Sequence, residues 1–383
     1  MEIMNIKKLA EKAIEDRRHL HQYPELSGQE YETSEFIRQR LEELDIEILD
    51  YEPPGVVAFI KGTNGSKTIA LRADIDALPI VEEGDKPYIS NKQGVAHMCG
   101  HDGHTAILLA VAAWISLNRE KIEPNIKLIF QSAEEITPSG ADLLIQKGVL
   151  EDVEAIFGIH LWQGLEKGKM GLTHGPMMAS IDDFEIIIQG YGGHGSMPHE
   201  TIDPIYIASH LMQAFQSIIS RNVNPIDAGV ITVGNIQAGT TYNIIPDTAK
   251  LTGTIRALTP NTVKIIKTKM VSLTEGICRA FGAEGKINFI LGTPPLVNDS
   301  TQSRFIESIV REQFGDTAFK VVEPVMGGED FSYYLQHKPG AFVFLGMGGE
   351  KSQYPHHHPR FDLDEDVFPN AIQLFINIIL QHK

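Results

Sequence analysis

The 383-residue chain has only two cysteines, Cys99 and Cys278, and two tryptophans. So few thiols exclude a disulfide-built scaffold and fit a reducing compartment, which makes the cytoplasm the expected location. Basic residues are scarce as well: 33 Lys and Arg face 50 Asp and Glu, a formal net charge of -17 at pH 7. Nucleic acid is held by neutralising its phosphates, so this balance argues against it as a partner and for small-molecule chemistry. Long apolar runs are missing. The longest, Thr105 to Leu117, covers 13 residues, short of the ~20 needed to cross a bilayer. The first twenty residues mix charges at helical spacing, so neither a signal peptide nor membrane contact is expected.

What is present is a chain 42% apolar and longer than a single core usually supports, so two domains are expected. From Lys67 to Ile159, β-rich runs alternate with helical patterns: TIALRADID, a helix from about His104 to Leu117, NIKLIFQSAEE, a helix near ADLLIQKGVL, then EAIFGIH. That alternation predicts an α/β layer structure with a mostly parallel central sheet, whose ligands bind beyond the carboxyl ends of its strands. Metal-type side chains stand at those ends: Asp74 and Asp76 after the first strand, Glu134 and Glu135 after the second, His160 after the third. From Ile181 the order becomes β-α-β-β-α-β, the pattern of a ferredoxin-like α+β unit. It reads as an insertion over residues 181–294 in a catalytic domain made of residues 1–180 and 295–383.

The stretch VAHMCGHDGHT (95–105) crowds a thiol, imidazoles and a carboxylate into a few positions. A nucleophilic cysteine relies on a neighbouring base and gains nothing from nearby carboxylates, and a haem attachment requires CxxCH, which is absent. A metal remains. Taken alone, CGHDGH is equally a metal site or a structural loop, and its spacing is not that of HExxH. Paired glutamates are ordinarily a solvated surface feature, but Glu134 and Glu135 close an apolar strand at the edge where a crevice belongs. Their divergent directions there suit one carboxylate on a metal and the other on a bound water as general base. A mixture of thiolate, imidazole and carboxylate favours Zn over Mg or Ca, and the number of donors suits two ions better than one. His160 alone would more often be a packed residue than a ligand, and His356, His357 and His358 offer more imidazoles.

RRHLHQYPELSGQE (17–30), RADIDALP (72–79), HMCGHDGHT (97–105), FQSAEE (130–135), GIH (158–160), GYGGHGSMPH (190–199), AGTTYNIIPD (238–247), GTIR (253–256), GGEDFSYY (327–334) and HHP (357–359) together resemble the amidohydrolase branch of the aminoacylase and carboxypeptidase G-type dinuclear metallopeptidases. That branch includes hippurate hydrolases, auxin-conjugate hydrolases and N-acetyldiaminopimelate deacetylases. The resemblance covers essentially the whole chain. It implies two divalent metal ions, Zn first, with Mn, Ni or Co as alternatives, held by Cys99 as the bridge and by His101, Glu135, His160 and His357. The choice of His357 over His358 rests on the H-x-P spacing. Glu134 would be the general base and Asp74 would orient the ligand shell.

The same resemblance makes the inserted unit a lid and dimerisation domain. His194 would stabilise an oxyanion in a neighbouring subunit's site, and Asn243 and Arg256 would contact substrate. The implied activity is hydrolysis of N-acyl amino acids by a homodimer or higher oligomer. A dipeptidase or carboxypeptidase of the same family is the alternative, and a binding protein that has lost catalysis is the reading from another class. Met98, Ser132 and Ile136 depart from the pattern beside the ligands and leave the pocket's shape open; His19 and His21 read as structural.

Overall fold

The structure, a computed structural model, describes residues 6–65 and 67–382. The chain divides into two compact units. One comprises the residues up to Gly175 with Asn298–Glu323 and Tyr333–Lys383; the other comprises Pro176–Val297 and Pro324–Ser332. The second unit is therefore somewhat longer at both ends than 181–294 and also takes in a short later segment.

In the first unit an eight-stranded sheet runs in the order Glu47–Ile48, Val56–Ile60, Asn125–Gln131, Thr68–Asp74, Val153–Glu166, Gly340–Gly348, Met170–Leu172, Phe319–Val321. The four strands at its centre are mutually parallel, and antiparallel pairings join the flanking strands to them. Every residue of Thr68–Asp74 is buried. Such two-sided burial is what a parallel strand covered on both faces requires, and it explains why TIALRAD reads as a continuous apolar run, not an alternation. The helix Ile6–Gln22 turns Leu9, Ala10, Ala13, Arg17, Leu20 and His21 inward at three- and four-residue intervals.

The helix His101–Leu117 is buried nearly all round. It begins three residues before His104, because Gly100 adopts φ +101° and turns the chain directly into the first helical turn, a conformation that costs glycine little. His160 also differs from expectation. Its strand does not end there but runs on to Glu166, paired with Gly340–Gly348. The neighbouring Thr68–Asp74 strand pairs with it only as far as Arg72 and Gly158, so His160 still lies level with the carboxyl end of the parallel core. Asp74 is in register with Gln131. One edge of the sheet thus gathers the Asp74, Glu134–Glu135 and His160 stretches of three different strands.

The second unit's main sheet runs Gly229–Ala238, Thr248–Ala257, Asp182–Gln189, Glu284–Leu291, antiparallel throughout, with the strand order of a ferredoxin-like unit. Burial alternates along Asp182–Gln189, as a sheet covered on one face demands. Phe184, Ile186, Ile188, Leu251 and Ile255 form a core with Ile207, Leu211, Phe215, Ile266 and Met270 from the helices Pro204–Asn222 and Pro260–Ala280. Both helices start with proline after a capping side chain: Asp203 accepts from the backbone N–H of Ile205 and Tyr206, and Thr259 accepts from that of Thr262.

Candidate metal centre

Cys99 sits in the turn before the His101–Leu117 helix, and its Sγ is 3.6 Å from His160 Nε2. The donor atoms of Cys99, His101 and His160 lie within 4.8 Å of one another, as do those of Cys99, Glu135 and His357 and those of His101, Glu134 and Glu135. His101 Nε2 is 4.0 Å from Glu135 Oε1, which is 3.2 Å from His357 Nε2. Six side chains from four separate stretches of chain therefore share one small volume. His357 adopts φ +65° and is fixed beside the cysteine turn by its backbone N–H, which donates to Met98 O at 2.8 Å. His358 faces elsewhere: it stacks on Tyr354 and its Nδ1 accepts from the backbone N–H of Arg360.

The imidazoles are oriented from behind. His101 Nδ1 donates to Asp76 Oδ1 at 3.1 Å, and His160 Nδ1 donates to the Leu161 carbonyl at 3.0 Å. With Nδ1 engaged in each, Nε2 is the nitrogen turned toward the thiol and carboxylates, the arrangement in which a histidine serves as a metal ligand. Asp74 reaches the cluster differently. It binds Arg72 Nη1 at 2.7 Å and His104 Nδ1 at 2.6 Å, and lies 3.8 Å from His101 Nε2; the direct hydrogen bond to a ligand-type imidazole is made by Asp76. His104 has both nitrogens occupied, since its Nε2 accepts from the Leu161 N–H at 2.9 Å. It ties the helix start to the His160 strand. Asp76 was legible in the sequence as a metal-type side chain at a strand end and His104 as part of the CGHDGHT motif, but with no sign of what they hold.

Two observations test whether this cluster fits a cation. His101 Nε2 is buried and has no partner in hydrogen-bonding geometry among the described residues, a costly condition for a polar atom unless another partner satisfies it. The electrostatics also demand positive charge. His101 is held well above the ordinary imidazole range; burial opposes this, but Asp74, Cys99 and Asp76 outweigh it. Hydrogen bonds to Cys99 and Glu135 push His357 up to about 10. Carboxylates that hold protons on these histidines would equally favour a divalent ion, which would also supply the charge that burial and Glu135 deny the Cys99 thiolate. The donor set fits the metal.

The residues expected to contact substrate lie in the second unit. His194 is exposed, with its Nδ1 bonded to Ser196. Asn243 adjoins it: Ile244 pairs with His194, and the Asn243 carbonyl accepts from the Gly195 N–H at 2.9 Å. Arg256 is part-buried on the Thr248–Ala257 strand, where its guanidinium bonds Thr254 and the Ile255 carbonyl. Of the departures from the family pattern, Met98 and Ser132 are buried and Ile136 is 46% exposed.

Known proteins resemble this chain over most of its length. N-acetyl-L-cysteine deacetylase of Bacillus subtilis (strain 168) is 42% identical over 371 residues, covering 96% of this chain and 87% of that protein. N-acyl-L-amino acid amidohydrolase of Geobacillus stearothermophilus is 41% identical over 298 residues, 76% of this chain and 80% of that one. Among solved structures, Bacillus subtilis YXEP, described as a dinuclear metal-binding peptidase of family M20, superposes with a TM-score of 0.86 at 37% identity, with 98% of each chain covered. The profile of peptidase family M20/M25/M40 matches residues 70–381, and the chain belongs to that family.

Proposed function

We propose that this protein is a metal-dependent amidohydrolase that cleaves N-acyl amino acids to a carboxylate and a free amino acid. The observation that carries this reading is the convergence of the Cys99, His101, Glu135, His160 and His357 donors with Glu134 beside them. The deacetylase and amidohydrolase names of the relatives support the substrate class. Those five residues would hold two divalent ions, with Cys99 shared because its sulfur lies near both donor groups. Thiolate and imidazole favour Zn, with Mn, Ni or Co compatible. Such a pair, when bound, polarises the amide carbonyl and lowers the pKa of water to near neutrality.

The protein's own groups supply the remaining chemistry. Glu134 takes a proton from the attacking water and delivers it to the departing nitrogen. Asp74, braced by Arg72 and His104, would act on the ligand shell through its charge 3.8 Å from His101 Nε2. His194 donates to the oxyanion, Asn243 contacts substrate, and Arg256 suits a free α-carboxylate because its fork spans both oxygens. The His194 imidazole would come from a second copy, making the enzyme a homodimer through the unit that begins at Pro176. Tyr242, fully exposed, and the exposed Met197 and Ile244 give the surface around His194 an apolar character suited to such a contact. No described helix is long and apolar enough to cross a membrane.

Glu134→Gln tests this reading. Turnover of N-acetyl and N-benzoyl amino acids should fall by about 10²–10⁴-fold, while metal analysis still finds two ions per chain and sedimentation still finds two chains per particle. Wild-type turnover by Glu134→Gln, or faster cleavage of dipeptides than of N-acyl amino acids, would overturn the mechanism or the substrate class respectively.

A further inference from the structure

The motif RRHLHQYPELSGQE contributes no residue to the ligand set, yet its side chains reach both sides of it. Arg17 Nε donates to Asp102 Oδ2 at 2.8 Å, and His21 Nδ1 bonds the same oxygen at 2.8 Å; Asp102 is next to His101 in sequence. Ser27 Oγ donates to Asp76 Oδ2 at 2.7 Å, and Asp76 in turn holds His101. The motif's last residue, Glu30, is fully buried, and its Oε1 accepts from the Ala133 N–H at 2.8 Å.

Ala133 is the residue at which the chain leaves the Asn125–Gln131 strand and turns to present Glu134 and Glu135. It adopts φ +51°, a left-handed conformation that an alanine holds only where its surroundings impose it. The imposing contacts are visible. Glu30 takes the N–H of Ala133, Asp76 Oδ2 takes the N–H of Glu135 at 3.0 Å, and the Ala133 carbonyl accepts from Gly140 N at 3.0 Å. A Cβ on Gly140 would lie 1.8 Å from the Ser132 carbonyl, so the turn admits no looser packing on that side. Glu134 is thus bracketed by two buried carboxylates from different parts of the chain, each gripping a backbone N–H one residue away.

We infer that Glu30 is a positioning residue for Glu134: by anchoring the Ala133 N–H it fixes the strained turn that aims the general base. The inference rests on the reading of Glu134 given above. Oε2 of Glu30 has no partner in hydrogen-bonding geometry among the described residues, so the contact that reaches the Glu134 turn is made through the single acceptor Oε1. Burial raises the carboxyl to about 7 although the Ala133 N–H, which favours the carboxylate, works against it; an uncharged amide oxygen at the same place can still accept from that N–H. Glutamine should therefore substitute for it.

The experiment compares Glu30→Gln, Glu30→Leu and Glu134→Gln by steady-state kinetics on N-acetyl amino acids, with metal content and thermal unfolding measured on each. Glu30→Leu should bind both metals and keep its KM while kcat drops about 10- to 100-fold, the usual cost of losing a supporting hydrogen bond behind a site. Glu30→Gln should restore kcat to near wild type. If Glu30→Leu does not fold, Glu30→Asp, which retracts the acceptor by one methylene, takes its place with the same expected loss. An inactive Glu134→Gln beside a Glu30→Leu of wild-type kcat would overturn this inference alone. Equal losses in Glu30→Leu and Glu30→Gln would also overturn it, because the acceptor would then not be what matters. An active Glu134→Gln would remove the base itself and this inference with it.

Discussion

Asp76 shows how much one buried carboxylate can organise. It accepts from Ser27 Oγ, from the Glu135 N–H and from His101 Nδ1, so it joins the N-terminal motif, the glutamate turn and an imidazole of the cluster. Asp76→Asn removes the charge that draws the proton to Nδ1 of His101. Metal affinity, measured by competition with a chelator, should fall about 10- to 100-fold, and unchanged affinity would show that His101 needs no such partner. Glu134 and Glu135 were legible because they follow an apolar strand, Cys99 and His101 because they crowd one short motif, and His357 only through the family resemblance. The residues behind them were not. A carboxylate that accepts from a backbone N–H in a distant part of the chain, as Glu30 does, is indistinguishable in sequence from a solvated acid, since nothing local marks its partner.

The His101–Leu117 helix carries its polar residues in its first turn and hydrocarbon thereafter, and the glycines of CGHDGH have separate tasks in it. Gly100 supplies the left-handed turn; Gly103 supplies clearance. A Cβ at 103 would fall 2.5 Å from Leu363 Cδ1 and 2.7 Å from Leu161 Cδ1. In an open helix, Gly→Ala stabilises by about 1 kcal/mol. Here the overpacking should dominate, and Gly103→Ala should lose about 1–3 kcal/mol by denaturant titration; a gain in stability would show that the leucines move aside freely. The helix was readable from its composition, but its first turn was not, because that boundary depends on the φ of Gly100. The length of the His160 strand was hidden for a related reason: its continuation to Glu166 is set by pairing with Gly340–Gly348, a partner far away in the chain.

Across the first unit, distant segments are held together by buried charge. Arg17 is entirely enclosed and bonds Asp102, Asp362 and Glu365 at 2.8, 2.6 and 3.1 Å; His21 lies between Asp102 and Glu82, the latter at 2.9 Å. Partial burial works against the Glu82 carboxylate, but His21, Lys86 and the Ser90 N–H prevail and bring it from 4.5 to about 2. Its contribution to stability is therefore present above about pH 4.5 and is lost as the pH falls toward 2. Thermal unfolding should show Glu82→Gln well below wild type at pH 7, with the two converging near pH 2; a gap of constant size would mean that the carboxylate's charge is not what stabilises. The division into two units was foreseeable from length and from the change in strand–helix order. Which side chains close this network was not, because residues 17, 21, 82, 102, 362 and 365 become neighbours only once the sheet has formed.

One pairing has a bearing on synthesis. The strand bearing His160 has Thr68–Asp74 along part of one side, and its other side is completed by Gly340–Gly348, which the ribosome makes only after the entire second unit. Until then a nascent chain carries a bare, apolar β-edge, the kind of surface on which unfinished proteins adhere to one another. Shielding of that edge during synthesis would guard against such adhesion.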